Sequence, residues 1–219
     1  MATDTKTIKE NLREIFGKKV IFDRPLSEVT TLRVGGPAEY FIVAQQEEDI
    51  LNVIHFAQKH TIPFYLLGGA SNIVANDTTI KGVVIINKID HCDINLPKQT
   101  IVVGAGHSLL DLIHTLNKNG LSGMEKMAGI PGTIGGAIYG CAGAYGTEIK
   151  NCLRSVKIFD GKKTRWITKQ QCHFGYRTSI FKKKKCWIIL EAQFTFTKTD
   201  PKILKKISKD IITLREKKY

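Results

Sequence analysis

Cysteine is scarce in this chain and never paired: Cys92, Cys141, Cys152, Cys172 and Cys186 are the only five in 219 residues. Their odd number and the lack of any C-x-x-C spacing argue against a disulfide framework and a zinc site, and fit reduced thiols packed as small half-buried hydrophobes. Long apolar runs are missing as well. None approaches the ~18 consecutive apolar residues of a membrane-spanning helix. The N-terminal Met1-Ala2-Thr3-Asp4-Thr5-Lys6 has no apolar stretch of the kind a secretory signal needs. The expectation is a soluble cytoplasmic protein with no membrane partner. No Pro-rich linker, repeat or low-complexity tract divides the sequence. The 6 histidines show no H-x-x-x-H or H-x-H spacing, so no metal site is expected. No G-x-S-x-G elbow points to a serine hydrolase. Neither G-x-G-x-x-G nor G-x-x-x-x-G-K-[ST] occurs, so a nucleotide, if one binds, is not held by a Rossmann or Walker loop.

Acidic residues are few beside the basic ones: 20 Asp and Glu against 33 Lys and Arg leave a formal charge of +13. Lys182-Lys183-Lys184-Lys185 and the stretch over 202–218 carry much of the surplus. That balance suits anionic partners, nucleic acid or phosphorylated small molecules. The lysines of the last stretch alternate with apolar positions, as on a solvated helix face. No zinc finger or RNP box accompanies them, so nucleic acid is not expected.

What is present is a core-forming chain, 42% hydrophobic, long enough for one large domain or two small ones. Residues 39–44, 64–67, 83–86 and 100–103 read as β-branched or aromatic strands. Ile50, Leu51, Ile54 and Ala57 predict a helix over 47–60. Ser108 caps a second helix, with Asp111 three residues on, Leu109, Leu112, Ile113 and Leu116 as its apolar face, and Gly120 as its stop. Residues 154–159, 164–168 and 187–196 read as strands of an antiparallel sheet, because Asp160-Gly161-Lys162-Lys163 is a hairpin-length connection. Asp200 and Pro201 open a last helix with a predicted buried stripe of Ile203, Leu204, Ile207, Ile211 and Leu214. It runs to Tyr219 without a stop signal. Strands alternating with helices give an α/β or α+β fold.

Three Gly-rich segments interrupt these elements: 30–38, 67–72, and 128–137 continued by Gly143-Ala144-Tyr145-Gly146. Glycines allow positive φ and close approach, so successive amides can face one anion. Ser71 and Asn72 add side-chain donors. Tight turns in a β-rich domain would need the same glycines. With 19 glycines in the chain, the segments together favour a phosphorylated ligand, a nucleotide cofactor among the candidates. A fourth feature, Phe174-Gly175-Tyr176-Arg177-Thr178-Ser179, sets an arginine among an aromatic and hydroxyls. Permanently charged, Arg177 suits an anionic or carbonyl group and stabilises developing negative charge; it cannot shuttle protons. The alternative is an ordinary surface arginine.

Taken in order, segments 30–38, 67–72, 129–137, 142–146 and 176–179 resemble the family of UDP-N-acetylenolpyruvoylglucosamine reductases. Its pattern reads roughly T-T-[FL]-R-[VI]-G-G-P-A, L-G-x-G-S-N, G-[IL]-P-G-[ST]-[IV]-G-G-A, N-A-G-A-Y-G and Y-R-x-S. The likeness extends over residues 25–215. It implies an α+β, two-lobed FAD-binding domain of the vanillyl-alcohol-oxidase (PCMH) type, with FAD between the lobes. The small N-terminal lobe would span 1–85 and the second lobe 86–200. Residues 201–219 would form a helix leading to a C-terminal domain that is absent.

The implied activity is FAD-dependent, NADPH-driven reduction of UDP-N-acetylglucosamine enolpyruvate to UDP-N-acetylmuramate, in peptidoglycan precursor synthesis. The same likeness makes Arg177 catalytic and gives Tyr145, Tyr176 and Arg177 to the substrate. It assigns Gly35, Gly68, Gly69, Ala70, Ser71, Asn72, Gly129, Ile130, Pro131, Gly132, Thr133, Gly136, Ala137 and Gly143 to the cofactor. Partners are then the UDP-sugar and NADPH, with no protein partner identifiable. Two positions depart from the pattern: Ala70 replaces a glycine, and Cys141 replaces an asparagine expected near the flavin. The family's serine proton donor and catalytic glutamate have no counterpart, so an FAD-binding fragment or module without turnover of its own stands as the alternative. Another flavin oxidase of the same fold fits residues 143–146 and 176–179 less well.

Overall fold

Residues 5–217 are described in the computed structural model, with side chains from residue 8 onward. Met1 to Asp4, which carry part of the signal-peptide reading, and Lys218 and Tyr219 lie outside the described residues. The chain divides into two units, Met1–Lys88 and Ile89–Tyr219.

The N-terminal unit runs α1 (Thr5–Phe16), β1 (Val20–Pro25), β2 (Pro37–Ala44), α2 (Glu47–Lys59), β3 (Phe64–Leu67) and β4 (Ile80–Asn87). Its strands lie in the order β1-β2-β4-β3. β1 is antiparallel to β2, whereas β2 and β3 both run parallel to β4. Parallel pairing demands a crossover between strands, and α2 supplies it. A capping box between Gln46 and Asp49 starts α2, and Ile50, Val53, Ile54, Phe56 and Ala57 are its buried face. Buried on both sides, β4 reads Val83-Val84-Ile85-Ile86 without alternation. Phe41, Val84 and Ile86 form a further cluster with Leu26 and Ala38. The sequence reading had missed α1, whose Ile8, Leu12 and Phe16 are buried at four-residue spacing, and β1.

The C-terminal unit runs β5 (Cys92–Asn95), β6 (Thr100–Gly104), α3 (Leu109–Lys118), β7 (Leu121–Ser122), α4 (Ile134–Tyr139), β8 (Gly143–Ala144), β9 (Thr147–Glu148) and β10 (Leu153–Phe159). It continues with β11 (Thr164–Thr168), α5 (Ile180–Lys183), β12 (Ile188–Thr195), β13 (Thr197–Lys198) and α6 (Pro201–Glu216). Its main sheet has the order β11-β10-β12-β6-β5 and is antiparallel throughout, as expected for the later strands. Ile101, Val103, Val156, Ile158, Ala192 and Phe194 of this sheet share one core with Leu112, Ile113 and Leu116 of α3 and Ile134 and Ile138 of α4.

The last helix corrects the sequence reading. Asp200 caps it as expected, its side chain accepting from Lys202 N. Only Leu204, Ser208 and Ile211 are buried, while Ile203 and Leu214 are 53% and 48% exposed. α6 packs against α3 and the turn at Glu125–Met127, so its buried stripe follows positions 204, 208 and 211 rather than the full apolar set. Its bounds are Pro201–Glu216, and the expectation that it runs on to Tyr219 lies outside the described residues. Of the cysteines, Cys141 and Cys172 are buried, Cys92 and Cys152 partly so, and Cys186 is exposed.

Candidate functional site

In the N-terminal unit one backbone bond joins two of the Gly-rich segments: Thr31 N donates to Ala70 O at 3.2 Å. The Thr30 hydroxyl donates to Val34 O at 2.9 Å and accepts from Val34 N at 3.2 Å, which fixes the first loop. Its glycines have a packing reason of their own. A Cβ on Gly36 would lie 2.1 Å from Asp77 O, and one on Gly35 2.7 Å from the Ala75 Cβ. The Gly36 amide already donates to Asn76 O at 2.7 Å. In the second loop Ala70 has φ 49 with its methyl buried, flanked by Gly68, Gly69, Ser71 and Asn72. The unit thus gathers its expected cofactor residues on two joined loops, with Gly35 placed where the chain crosses residues 75–78.

In the C-terminal unit Gly129 (φ 78) and Gly132 (φ 117) bracket Ile130 and Pro131. Gly132 O accepts from Leu109 N at 3.0 Å, and Ile134 N donates to His107 O at 3.0 Å, which sets Thr133 opposite Ser108. Between those two bonds the Gly132 and Thr133 amides have no acceptor among the described residues. Farther on the amides are spent inside the protein. Gly135 N donates to Ala105 O at 2.8 Å, Ala137 N to Thr133 O at 2.9 Å, and Gly136 N to the Thr133 hydroxyl at 3.4 Å. Two donors at 132 and 133 are therefore left over, with Gly132 half-buried and Thr133 buried, whereas Gly136 and Ala137 hold α4 together. His107 has Nδ1 2.7 Å from Asp90 O, leaving a buried Nε2 with no partner among the described residues.

α4 ends in a Schellman motif. Ala142 N donates to Ala137 O at 2.7 Å, Cys141 N donates to Ile138 O at 3.2 Å, and Cys141 is left-handed with φ 46. Glycine, or failing that asparagine, is the usual residue at such a position. This gives a backbone reason for the asparagine of the reductase pattern, independent of any contact with a flavin. β8 and β9 then form a hairpin whose two central residues, Tyr145 (φ 50) and Gly146 (φ 79), both have positive φ. Gly143 is needed at its base, since a Cβ there would lie 2.6 Å from Thr147 O.

A second tight turn faces the same space. Gly175 and Thr178 exchange backbone bonds of 3.1 and 3.2 Å, with Tyr176 and a left-handed Arg177 (φ 54) between them. Lys182 Nζ donates to Arg177 O at 2.7 Å, and the buried Ser179 hydroxyl donates to Tyr139 O at 2.7 Å. Cys141, Gly143, Glu148, Lys150, Tyr176 and Arg177 line one concavity of about 340 Å³. Gly143, Tyr176 and Arg177 were expected; Glu148 and Lys150 were not. Tyr145, also expected, sits at the tip of the hairpin outside this lining and faces Arg215 of α6, with 5.6 Å between ring centroid and Cζ.

The charges of this concavity are settled. Lys150 Nζ lies 2.6 Å from Glu148 Oε2. The Lys150 hydrogen bond is the main influence that holds the Glu148 carboxyl below the ordinary carboxylate range, with Arg177 adding to it. The same bond raises Lys150. Burial, then the Glu148 charge, pushes the Cys141 thiol up, consistent with Sγ donating to Glu148 Oε1 at 3.7 Å. The result is an ionised carboxylate paired with a lysine, a permanently charged arginine and a protonated thiol. No group of three or more His, Cys, Asp or Glu able to hold a metal ion occurs among the described residues. Nor is any described helix long and apolar enough to cross a membrane.

Comparison with known proteins places the chain in a family. Residues 38–168 match the family model described as an FAD binding domain. UDP-N-acetylenolpyruvoylglucosamine reductase of Bacillus pumilus is 37% identical over 209 residues, 94% of this chain and 68% of that protein. The Exiguobacterium sibiricum enzyme of the same name is 35% identical over 98% of this chain and 70% of its own length. Among solved structures, UDP-N-acetylenolpyruvylglucosamine reductase from Thermus caldophilus superposes with a TM-score of 0.74 at 25% identity, over 90% of this chain and 68% of that one. Alkyldihydroxyacetonephosphate synthase, at 16% identity and a TM-score of 0.63, shares the fold.

The fold and the matched relatives define a flavin-dependent oxidoreductase with a PCMH-type FAD-binding domain. Within that class the chain belongs to the UDP-N-acetylenolpyruvoylglucosamine reductase family. It spans 62% of the Solibacter usitatus relative and up to 70% of the others named here.

Proposed function

We propose that this chain is the FAD-binding part of an enzyme that uses NADPH to reduce UDP-N-acetylglucosamine enolpyruvate to UDP-N-acetylmuramate in the cytoplasm. The observation that carries the reading is the backbone at residues 129–133. Gly129 and Gly132 hold positive φ there, and the amides of Gly132 and Thr133 have no acceptor among the described residues, in a chain whose 38–168 match an FAD binding domain. Unpaired donors on a Gly-rich turn suit phosphate or carbonyl oxygens. Residues 129–133 and 143, with the joined loops at 30–36 and 68–72, would hold the cofactor. Bound FAD supplies the two-electron redox chemistry.

The concavity then works by charge. Arg177 is always protonated and presents a planar fork to the substrate carboxylate, where it stabilises the negative charge that develops beside it. Glu148 is held ionised and Lys150 protonated, so neither is poised to exchange a proton near neutral pH. Their pair offsets part of the cationic field of the concavity. NADPH and the UDP-sugar are the proposed small-molecule partners.

Purified chain should bind FAD saturably and retain its yellow colour through desalting; protein that stays colourless in excess FAD contradicts the reading. The same preparation separates two outcomes for catalysis. Substrate-dependent NADPH oxidation supports the reductase reaction in this chain, whereas retained flavin without oxidation supports a binding module without turnover.

A further inference from the structure

The basic surplus is not spread evenly over the chain. Residues 151–190 hold 11 Lys and Arg against a single acid, Asp160, and so carry most of the formal charge of +13. The fold then gathers five of the lysines. Lys162 and Lys163 sit on the β10–β11 turn, while Lys183 ends α5 and Lys184 and Lys185 lead on towards β12. A Cβ on Gly161 (φ 94) of the first turn would lie 3.6 Å from the Cys186 Cβ of the second, so the two turns touch. Arg165 reinforces the join, its Cζ lying 4.9 Å from the Trp187 ring centroid. All five lysines are exposed, and none forms an ion pair among the described residues. The one acid nearby is already engaged, since Asp160 accepts from Arg165 Nε and from the amides of Lys162 and Lys163. Five ammonium groups without a counter-charge repel one another, at a cost to the fold. None of them lines the concavity at Arg177 or the larger one of about 650 Å³ beside Cys152.

We propose that these two adjoining turns dock the protein on an anionic lipid surface. Lysine ammoniums are point charges on flexible stems. They suit a plane of mobile headgroups, where each adds about fivefold to binding. Trp166, 45% exposed on β11 and three residues past Lys163, supplies an amphipathic ring of the kind that settles at a membrane interface. Surface contact of this sort needs no membrane-crossing helix. Nucleic acid fits the turns less well. A single strand is followed by a charged groove with successive aromatic platforms, whereas these lysines stand outside both concavities. Nor is an arginine fork free among them, because Arg165 is held by Asp160 and Trp187.

The test sediments the intact chain with vesicles of phosphatidylcholine alone and of phosphatidylcholine mixed with phosphatidylglycerol, at low and raised salt. Wild type is compared with K162Q/K163Q/K183Q/K184Q/K185Q, which clears the turns. A second variant, K202Q/K205Q/K206Q/K209Q/K217Q, removes the same charge from exposed positions on and just past α6. Wild type should bind only the phosphatidylglycerol vesicles, and salt should release it. The turn variant should bind them at least ~10²-fold less tightly, and the α6 variant should stay within about tenfold of wild type. Equal losses in the two variants would show attraction by net charge alone and overturn the proposal. So would wild type that ignores phosphatidylglycerol or binds phosphatidylcholine alone as well. A single-stranded oligonucleotide is titrated in parallel. Oligonucleotide binding that the turn variant loses, with vesicle binding untouched, assigns the turns to nucleic acid and likewise overturns the proposal.

Discussion

Left-handed backbone explains the two positions at which this chain departs from the reductase pattern. Ala70 holds φ 49 and Cys141 holds φ 46, in conformations that penalise a Cβ by roughly 1–2 kcal/mol. Sequence alone showed the departures, but it gave Cys141 a side-chain role near the flavin, because nothing local announces that α4 ends there. Cys141→Asn should therefore raise stability by about 0.5–1 kcal/mol in denaturant unfolding, since asparagine tolerates this conformation and can still donate to Glu148. A loss of stability would show that the thiol's contacts outweigh the backbone. Arg177 was legible from its neighbours, whereas Glu148 and Lys150 were not. Glu148 ends a two-residue strand with no periodicity, Lys150 lies just past it, and only the fold brings them beside Arg177. Two opposite charges, Glu148 and Lys150, just beyond Gly143-Ala144-Tyr145-Gly146 were the available signal. In substrate reduction, Arg177→Lys should cost about 10²-fold through loss of the planar fork, with FAD affinity unchanged. Parallel loss of FAD binding would mean that the arginine holds the site together instead.

Elements were read well where apolar period and caps agreed. α3 starts at Ser108, whose hydroxyl accepts from Asp111 N, and Gly120 follows it with φ 66. The β10–β11 hairpin fell where Asp160-Gly161-Lys162-Lys163 placed it. α1 escaped notice because its apolar residues are diluted by charge, although Ile8, Leu12 and Phe16 form a plain stripe. The α6 stripe was overcounted because apolar character alone does not say which side meets α3. The β10–β11 turn also gives a pH prediction. Asp160 accepts from Lys162 N, Lys163 N and Arg165 Nε at 3.1, 3.0 and 2.8 Å. Its carboxyl is lowered to about 2, first by the Lys163 amide and then by Arg165. A carboxyl lowered on folding adds stability above its unfolded value near 3.8, and loses it as pH falls towards about 2. Asp160→Asn should accordingly be less stable than wild type at neutral pH, with the gap closing below pH ~4. A gap that stays constant down to pH ~2 would assign the effect to the turn geometry rather than the charge.

For the molecule as a whole, the order of the Gly-rich segments carried more information than any one of them. Each admits a packing explanation, and the structure supplies several: Gly35 and Gly36 against residues 75–78, Gly143 inside its hairpin, and Gly135 of α4 against Ala105. What packing does not explain is the pair of amides at 132 and 133 with no acceptor among the described residues, together with the unpartnered Arg215 Nε. Sequence could not reveal these, because an unpaired donor is known only once every nearby acceptor has been placed. A basic surplus of +13 suits a diphosphate-bearing ligand but does not single one out. Equilibrium titration of the purified chain with FAD, followed by flavin fluorescence, tests the central claim most directly. Saturable binding of one FAD per chain is the predicted result, and a flavin signal that stays that of free FAD at every protein concentration would contradict it.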